Sequence, residues 1–250
     1  MPANTGRRRP AAVSTWLVDR FCLAIPTRIA GYILLALLMI PLVLILLFRF
    51  VPVPLTPLMI VRLAQGYELH HQWVPYNKIA PELAEAVVAS EDNLFCREQL
   101  GFDERALFQQ IAAWWRGERP RGASTITMQT ARNLLLWPGR DVLRKAIEAW
   151  LTPQIALLWT KQRVLEVYLN SIEFGPGIYG AEAAAQHYFH RPAAHLNTDQ
   201  SVRLAVILPA PFEWSAVHPD PYVLERIKIV GRRMGQIGPL LDCANRMSGR

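Results

Sequence analysis

The chain is short of cysteine and of charge. Three cysteines in 250 residues (Cys22, Cys96 and Cys243) are too few for a disulfide framework, and they lack metal-ligand spacing. Cys22 precedes a long apolar run, whereas Cys96 and Cys243 both follow it and so share one compartment. Whether those two pair is left open by the sequence. The six histidines (His70, His71, His187, His190, His195 and His218) do not cluster at ligand spacing and show no tie to a nucleophile. Ser124 lacks the setting of a nucleophile elbow. Charged residues make up only 19% against 52% hydrophobic, which excludes wholesale disorder. Acids are the scarcer sign, 20 against 27 bases, for a net charge of +7. That excess favours anionic partners. No helix-turn-helix, zinc-finger or RNP-type signature is present, so no nucleic acid partner is expected. An anionic membrane surface or an anionic lipid fits better. There is no internal repeat and no low-complexity run.

What the chain has in abundance is one apolar run. Ile29 to Phe48 reads IAGYILLALLMIPLVLILLF, without a charge and bounded by Arg28 and Arg49. At 1.5 Å per residue, about 20 residues cross a hydrocarbon core of about 30 Å. Pro41 is tolerable inside a membrane helix. The run is too long for the apolar part of a cleaved signal peptide and ends without a small-x-small cleavage site. Arg7, Arg8, Arg9, Arg20 and Arg28 precede it against one acid, Asp19, which puts the N-terminus in the cytoplasm. The expected organisation is a cytoplasmic tail over 1–28, a transmembrane helix over 29–48, a juxtamembrane linker over 49–70 stiffened by Pro52, Pro54 and Pro57, and one external domain over 71–250.

That domain reads as helices separated by Gly/Pro loops. Pro81 opens PELAEAVVASE as a first helical residue. Further helices are expected from Asp103 to about Arg116, from the breaker-rich RPRGAS to Leu136, and from an Asp141 cap to about Leu158. Val164–Asn170, AEAAAQHYF, Asp199–Leu208 and Tyr222–Met234 complete the set. SIEFGPGIYG between two of them is expected to be a loop.

Four places could carry chemistry. Leu83 and Val87 form an inward stripe whose next i, i+4 position is Glu91. This acid either sits at the edge of a cleft as a general base or, if the helix has ended, is merely solvated. Glu148 lies within reach of Arg144 and Lys145 on a helix that is apolar on several faces, so it is either a surface ion pair or a buried acid. Arg132, Arg140, Arg144 and Lys145 around it suit a multiply charged anion such as a diphosphate; a solvated basic face is the alternative. GASTITMQ (Gly122–Gln129) is either an ordinary helix cap or an anion-binding helix start. Trp114 and Trp115 are a packed pair or a membrane-interface contact.

Taken in order, five blocks resemble the monofunctional biosynthetic peptidoglycan transglycosylases, whose catalytic domain is shared with bifunctional penicillin-binding proteins. The blocks are VVASEDNLF followed by GFD, GASTITMQTARNL, RKAIE, KQRVLEVYLNSIEFGPGIYGAEAAAQHYF and RLAVILPAP, spanning about Pro75 to Met234. The resemblance implies an all-α, lysozyme-like catalytic domain with a small membrane-proximal lobe that includes Trp114 and Trp115. It implies that Glu91 is the base acting on the acceptor 4-hydroxyl and that Glu148 is a second catalytic acid near the donor diphosphate. Asp92, Phe95, Ser124, Thr125, Gln129, Arg132, Arg140, Arg144 and Lys145 would bind substrate. That substrate would be lipid II, the undecaprenyl-diphosphate-linked disaccharide-pentapeptide, together with the growing glycan strand. The setting implied is the bacterial inner membrane with a periplasmic domain, and the partners transpeptidases and other cell-wall synthesis proteins. No tightly bound cofactor and no dedicated metal site are implied, though a divalent cation (Mg2+ or Mn2+) could assist at the diphosphate.

The chain departs from the family pattern in three places. CREQL replaces a shorter segment containing a histidine after Phe95. Met128 stands where a glutamine is usual, and Arg132 where a lysine is usual. A lysozyme-like hydrolase would need a carboxylic acid for a poor alkoxide leaving group, whereas a diphosphate needs cations. The basic cluster therefore favours transfer over hydrolysis. A scaffold that has lost catalysis would be expected to lack one of the two acids, and both are present.

Overall fold

The computed structural model describes residues 15–118, 124–139, 141–237 and 241–245. These divide between Val43 and Leu44 into two compact units. The first consists, in its described part, of helix α1 (Thr15–Phe48) as far as the division. Within α1, Arg28–Phe48 is the one described helix long and apolar enough to cross a membrane, with a mean hydropathy of 2.8. Most of its side chains, Ile33, Leu37 and Ile40 among them, are exposed, as befits a single-pass anchor facing hydrocarbon. A helix satisfies its own backbone, which is what such a solvent demands.

The second unit is helical and lysozyme-like. At its centre lies α3 (Pro81–Glu91), with Leu83, Ala84, Ala86, Val87, Val88 and Ala89 all buried. A helix apolar nearly all round must be enclosed, and α9 (Thr198–Ile207) and α10 (Pro221–Ile237) pack against it. The second layer is α5 (Ile126–Leu135), α6 (Val142–Leu158) and α7 (Lys161–Ser171), with α5 in contact with both others. Each starts on a side-chain cap of the expected kind: Thr125 accepts from Met128 N–H, Asp141 from Arg144 N–H and Thr160 from Arg163 N–H. Helices α4 (Glu104–Trp115) and α8 (Ala181–Phe189) also fall where the sequence places them.

Three features were not expected. Residues 57–64, inside the stretch read as linker, form helix α2, capped by the buried Thr56 and carrying the buried Met59. SIEFGPGIYG is not a plain loop. Strands β2 (Glu173–Gly175) and β3 (Ile178–Tyr179) pair antiparallel, and β1 (His70–His71) adds in parallel to β3. Gly177 turns that hairpin at φ +75°, with its α-carbon directly over the carbonyl of Glu68, where no side chain fits. Helix α11 (Asp242–Asn245) packs on α7, and its Cys243 forms a disulfide with Cys96, Cα to Cα 5.7 Å.

The last turn of α1 lies in the second unit. Ile45 is fully buried there, and its carbonyl accepts from Trp159 Nε1 at 2.8 Å. Arg163 donates to the Phe48 carbonyl through Nε and Nη2 and to that of Val51 through Nη2. A cation on the last carbonyls is the favourable way to end a helix.

Candidate active site

Glu91 closes α3 half-buried, one turn beyond the fully buried Val87. Its Oε2 accepts from Gln129 Nε2 at 3.2 Å and its Oε1 from Ser90 Oγ at 3.2 Å. Gln129, on α5, is itself buried, and its Oε1 accepts from Tyr168 Oη at 3.1 Å. A tyrosine hydroxyl donating to the amide oxygen leaves the NH2 end to face Glu91, so Tyr168 sets the amide's orientation. Tyr168 is wholly buried, and burial first, then the nearby Glu91 charge, holds its hydroxyl well above its ordinary pKa, so it stays a donor. Arg132, one turn along α5, reaches the same Gln129 oxygen at 3.5 Å.

Glu148 is fully buried on α6. Its Oε2 accepts from Arg144 Nη1 at 2.7 Å and its Oε1 from Lys145 Nζ at 2.8 Å. Lys145 also donates to Ser124 Oγ at 3.0 Å, at the start of α5. The acid and its two cations follow the helical i, i+3 and i, i+4 spacing, but unlike a surface pair they are out of water. A carboxylate enclosed in this way needs a partner on each oxygen, and each has a cation. Its consequence is geometric, because Arg144 (7% exposed as a side chain) is held in one position.

Arg132 and Arg144 meet across a cleft of about 280 Å³, lined also by Asn133, Leu136, Trp137, Ile172 and Leu208. Arg144 Nε and Asn133 Nδ2 are buried there without a hydrogen-bond partner. A chain of contacts thus runs from Glu91 through Gln129 and Arg132 to the cleft, and beyond it through Arg144, Glu148 and Lys145 to Ser124. Helix α5 carries the middle of that chain and joins the two acids.

The remaining site candidates divide in two. Asp92, Phe95 and Thr125 are buried and turned to the protein. Asp92 Oδ2 accepts from Ile126 N–H at 2.9 Å, and Thr125 Oγ1 donates to the Gly101 carbonyl at 2.6 Å. They build the site rather than line it. Arg140 and the side chain of Trp114 lie outside the described residues. Trp115 is 78% exposed and Phe108, on the same face of α4, 69%. Met128 is buried. Sequence reasoning missed Tyr168, although a signal existed: a tyrosine four residues after Val164 continues a buried stripe and so needs a partner for its hydroxyl. Among the described residues no group of three or more His, Cys, Asp or Glu is placed to hold a metal ion.

A helical body with a carboxylate linked through one glutamine to a cation-lined cleft has the parts that glycosyl transfer to or from an anionic leaving group requires. Comparison with known proteins specifies the kind. The family model described as Transglycosylase matches residues 59–235, and the chain belongs to that family. It is 47% identical over 222 residues to the biosynthetic peptidoglycan transglycosylase of Caulobacter vibrioides, covering 86% of this chain and 96% of that protein. The proteins of the same name from Pseudomonas putida (strain GB-1) and Aeromonas hydrophila are 46% and 45% identical, over 78% and 84% of this chain and 85% and 91% of their own lengths.

Proposed function

We propose that this enzyme polymerises lipid II into the glycan strands of peptidoglycan, with Glu91 as the general base. The acceptor 4-hydroxyl gives its proton to Glu91 as its oxygen bonds to the donor's anomeric carbon. The bond from that carbon to the diphosphate oxygen breaks, and the lipid diphosphate leaves as an anion. Arg132, Arg144 and Lys145, joined by Arg140, would neutralise it; Glu148 would act there by fixing Arg144 and Lys145. Preset cations stabilise charge that grows in the transition state more than charge already present, which is what accelerates a reaction. The observation that carries this reading is the cleft flanked by Arg132 and Arg144, with Arg132 and Glu91 sharing the same Gln129 side chain. The scheme calls on no tightly bound cofactor, and Mg2+ or Mn2+ would only supplement the arginines.

In this reading the divisions at 28/29, 48/49 and 70/71 separate cytoplasmic tail, inner-membrane helix, linker and periplasmic domain. The arginine-rich tail supports that orientation. Exposed Phe108 and Trp115 on α4 would rest at the membrane interface, where the lipid substrate and the growing strand are handled. Transpeptidases and other cell-wall synthesis proteins are the expected partners.

The test is Glu91→Gln in detergent-solubilised full-length protein given labelled lipid II. The amide keeps the side chain's size while losing its proton affinity. Glycan polymer should vanish with the thermal midpoint held within about 2 °C, as for a partly exposed substitution. Polymer at the wild-type rate would remove Glu91 from the role of base.

A further inference from the structure

Next to the proposed base lies a second set of ionisable groups that the reaction scheme leaves unused. Asp92, the residue following Glu91, is 7% exposed, and Glu98 is 6% exposed. Neither oxygen of Glu98 faces a hydrogen-bond donor. Its near neighbour is the Asp92 carboxyl, an acceptor as long as both acids are ionised, so only a shared proton turns that contact into a hydrogen bond. Lys161, at the start of α7, is close by, its ammonium 4.4 Å from the centre of the Phe95 ring and itself without a hydrogen-bond partner. Asp103, ahead of α4, adds a further negative charge, and the Ile126 and Leu94 N–H groups face Asp92. A cleft of about 450 Å³, lined by Arg97, Glu98, Asp103, Glu104 and Arg105 among others, borders the Glu98 side of the group. Glu98 belongs to CREQL, the segment in which this chain departs from its family.

We infer that Glu98 is a positioning residue for Glu91, acting through a proton shared with Asp92. Asp92 ends α3, and its other oxygen holds the first N–H of α5. It therefore ties the helix bearing Glu91 to the helix bearing Gln129, the residue that orients Glu91. With the proton in place, Glu98 donates to Asp92 and the tie is steady. Without it, two buried carboxylates repel with a single ammonium nearby to offset them, and Asp92 is pushed off the α5 N-terminus. Burial, then the Asp92 charge, lifts Glu98 to about 8, with Lys161 opposing. Burial likewise raises Asp92, opposed by the Ile126 N–H and Lys161. The proton is thus held at neutral pH and lost just above it. The inference rests on Glu91 being the base.

The experiment is initial polymerisation rate from pH 6.5 to 9.5 in detergent-solubilised full-length protein, at saturating and limiting lipid II, with a melt at each pH. For wild type, kcat should fall about tenfold between pH 7 and 9, as loss of one proton near pH 8 dictates, with KM moving less. Glu98→Gln, whose amide donates to Asp92 at every pH, should stay within about threefold of the wild-type rate at pH 7 and lose that decline. Asp92→Asn donates in the opposite direction and should also flatten the profile, which covers the case that one amide variant does not fold. A decline of wild-type depth and midpoint in either folded amide variant would overturn the inference, as would a wild-type profile flat to pH 9. Glu91→Gln separates this from the earlier reading. If it remains active, the base assignment fails; if it is dead while Glu98→Gln keeps the decline, only the positioning role fails.

Discussion

Removing Glu148 should be costly for reasons that can be worked out from its surroundings. In Glu148→Ala, Lys145 loses one of two partners but is 43% exposed and can turn to water at little cost. Arg144 cannot. Its side chain is 7% exposed, so its guanidinium would remain buried with its carboxylate gone, a loss of about 3–5 kcal/mol. In a unit of this size 1 kcal/mol shifts the midpoint by about 2–4 °C, so melting should fall by about 6–20 °C. Arg144→Met with Glu148→Leu removes both charges together and fills the space, and should recover to within about 1–2 kcal/mol of wild type. Neither protein should make polymer, because Arg144 has lost the carboxylate that orients its guanidinium in the first and is absent from the second. Circular dichroism melts of the detergent-solubilised proteins, with polymerisation of labelled lipid II alongside, give both readouts. A single variant melting within 2 °C of wild type, or a double variant no more stable than the single, would refute the picture of an arginine held by a buried acid.

Other parts of the molecule carry consequences of their own. The Cys96–Cys243 bond closes a separation of 147 residues, so Cys243→Ser should lose about 2–5 kcal/mol, seen as a lower midpoint matched by adding reductant to wild type. Gly101→Ala places a methyl 2.8 Å from Thr127 Cγ2 and 2.9 Å from Thr152 Cγ2 at φ +75°, and should cost about 2–4 kcal/mol by urea unfolding. Glu98 binds its proton more tightly folded than unfolded, so its contribution to stability is complete below the ordinary value of about 4.5, falls steadily above that, and is gone above about 8. Wild-type melting should therefore drop from about pH 5 to 8 and level off beyond, and Glu98→Gln should lack that part of the drop.

Much of this fold is legible in the sequence because its signals are local. Pro81 marks a helix start by its fixed backbone, Asp141 and the GAST segment mark others by capping, and Leu83 and Val87 point to Glu91 by simple periodicity. The sheet is not legible: strands of two or three residues are too short to alternate, and β1 pairs with β3 from more than 100 residues away. Helix α2 hides behind the prolines that made 49–70 read as linker. Glu148 is recognisable as an acid among cations, but whether that group is solvated or enclosed depends on α5 lying against α6. The Asp92–Glu98–Lys161 cluster is assembled from three elements and had no signature at all.

The bonds that Trp159 and Arg163 make to the end of α1 bear on where this protein can be cut. Hydropathy would put the boundary just past Phe48, at the end of the apolar run. A chain trimmed there would lose Ile45 from the core, strip the indole N–H of its carbonyl and leave the guanidinium only the Val51 carbonyl of the two it grips. Starting at or before Leu44 keeps all three, at the expense of a few greasy residues left in water.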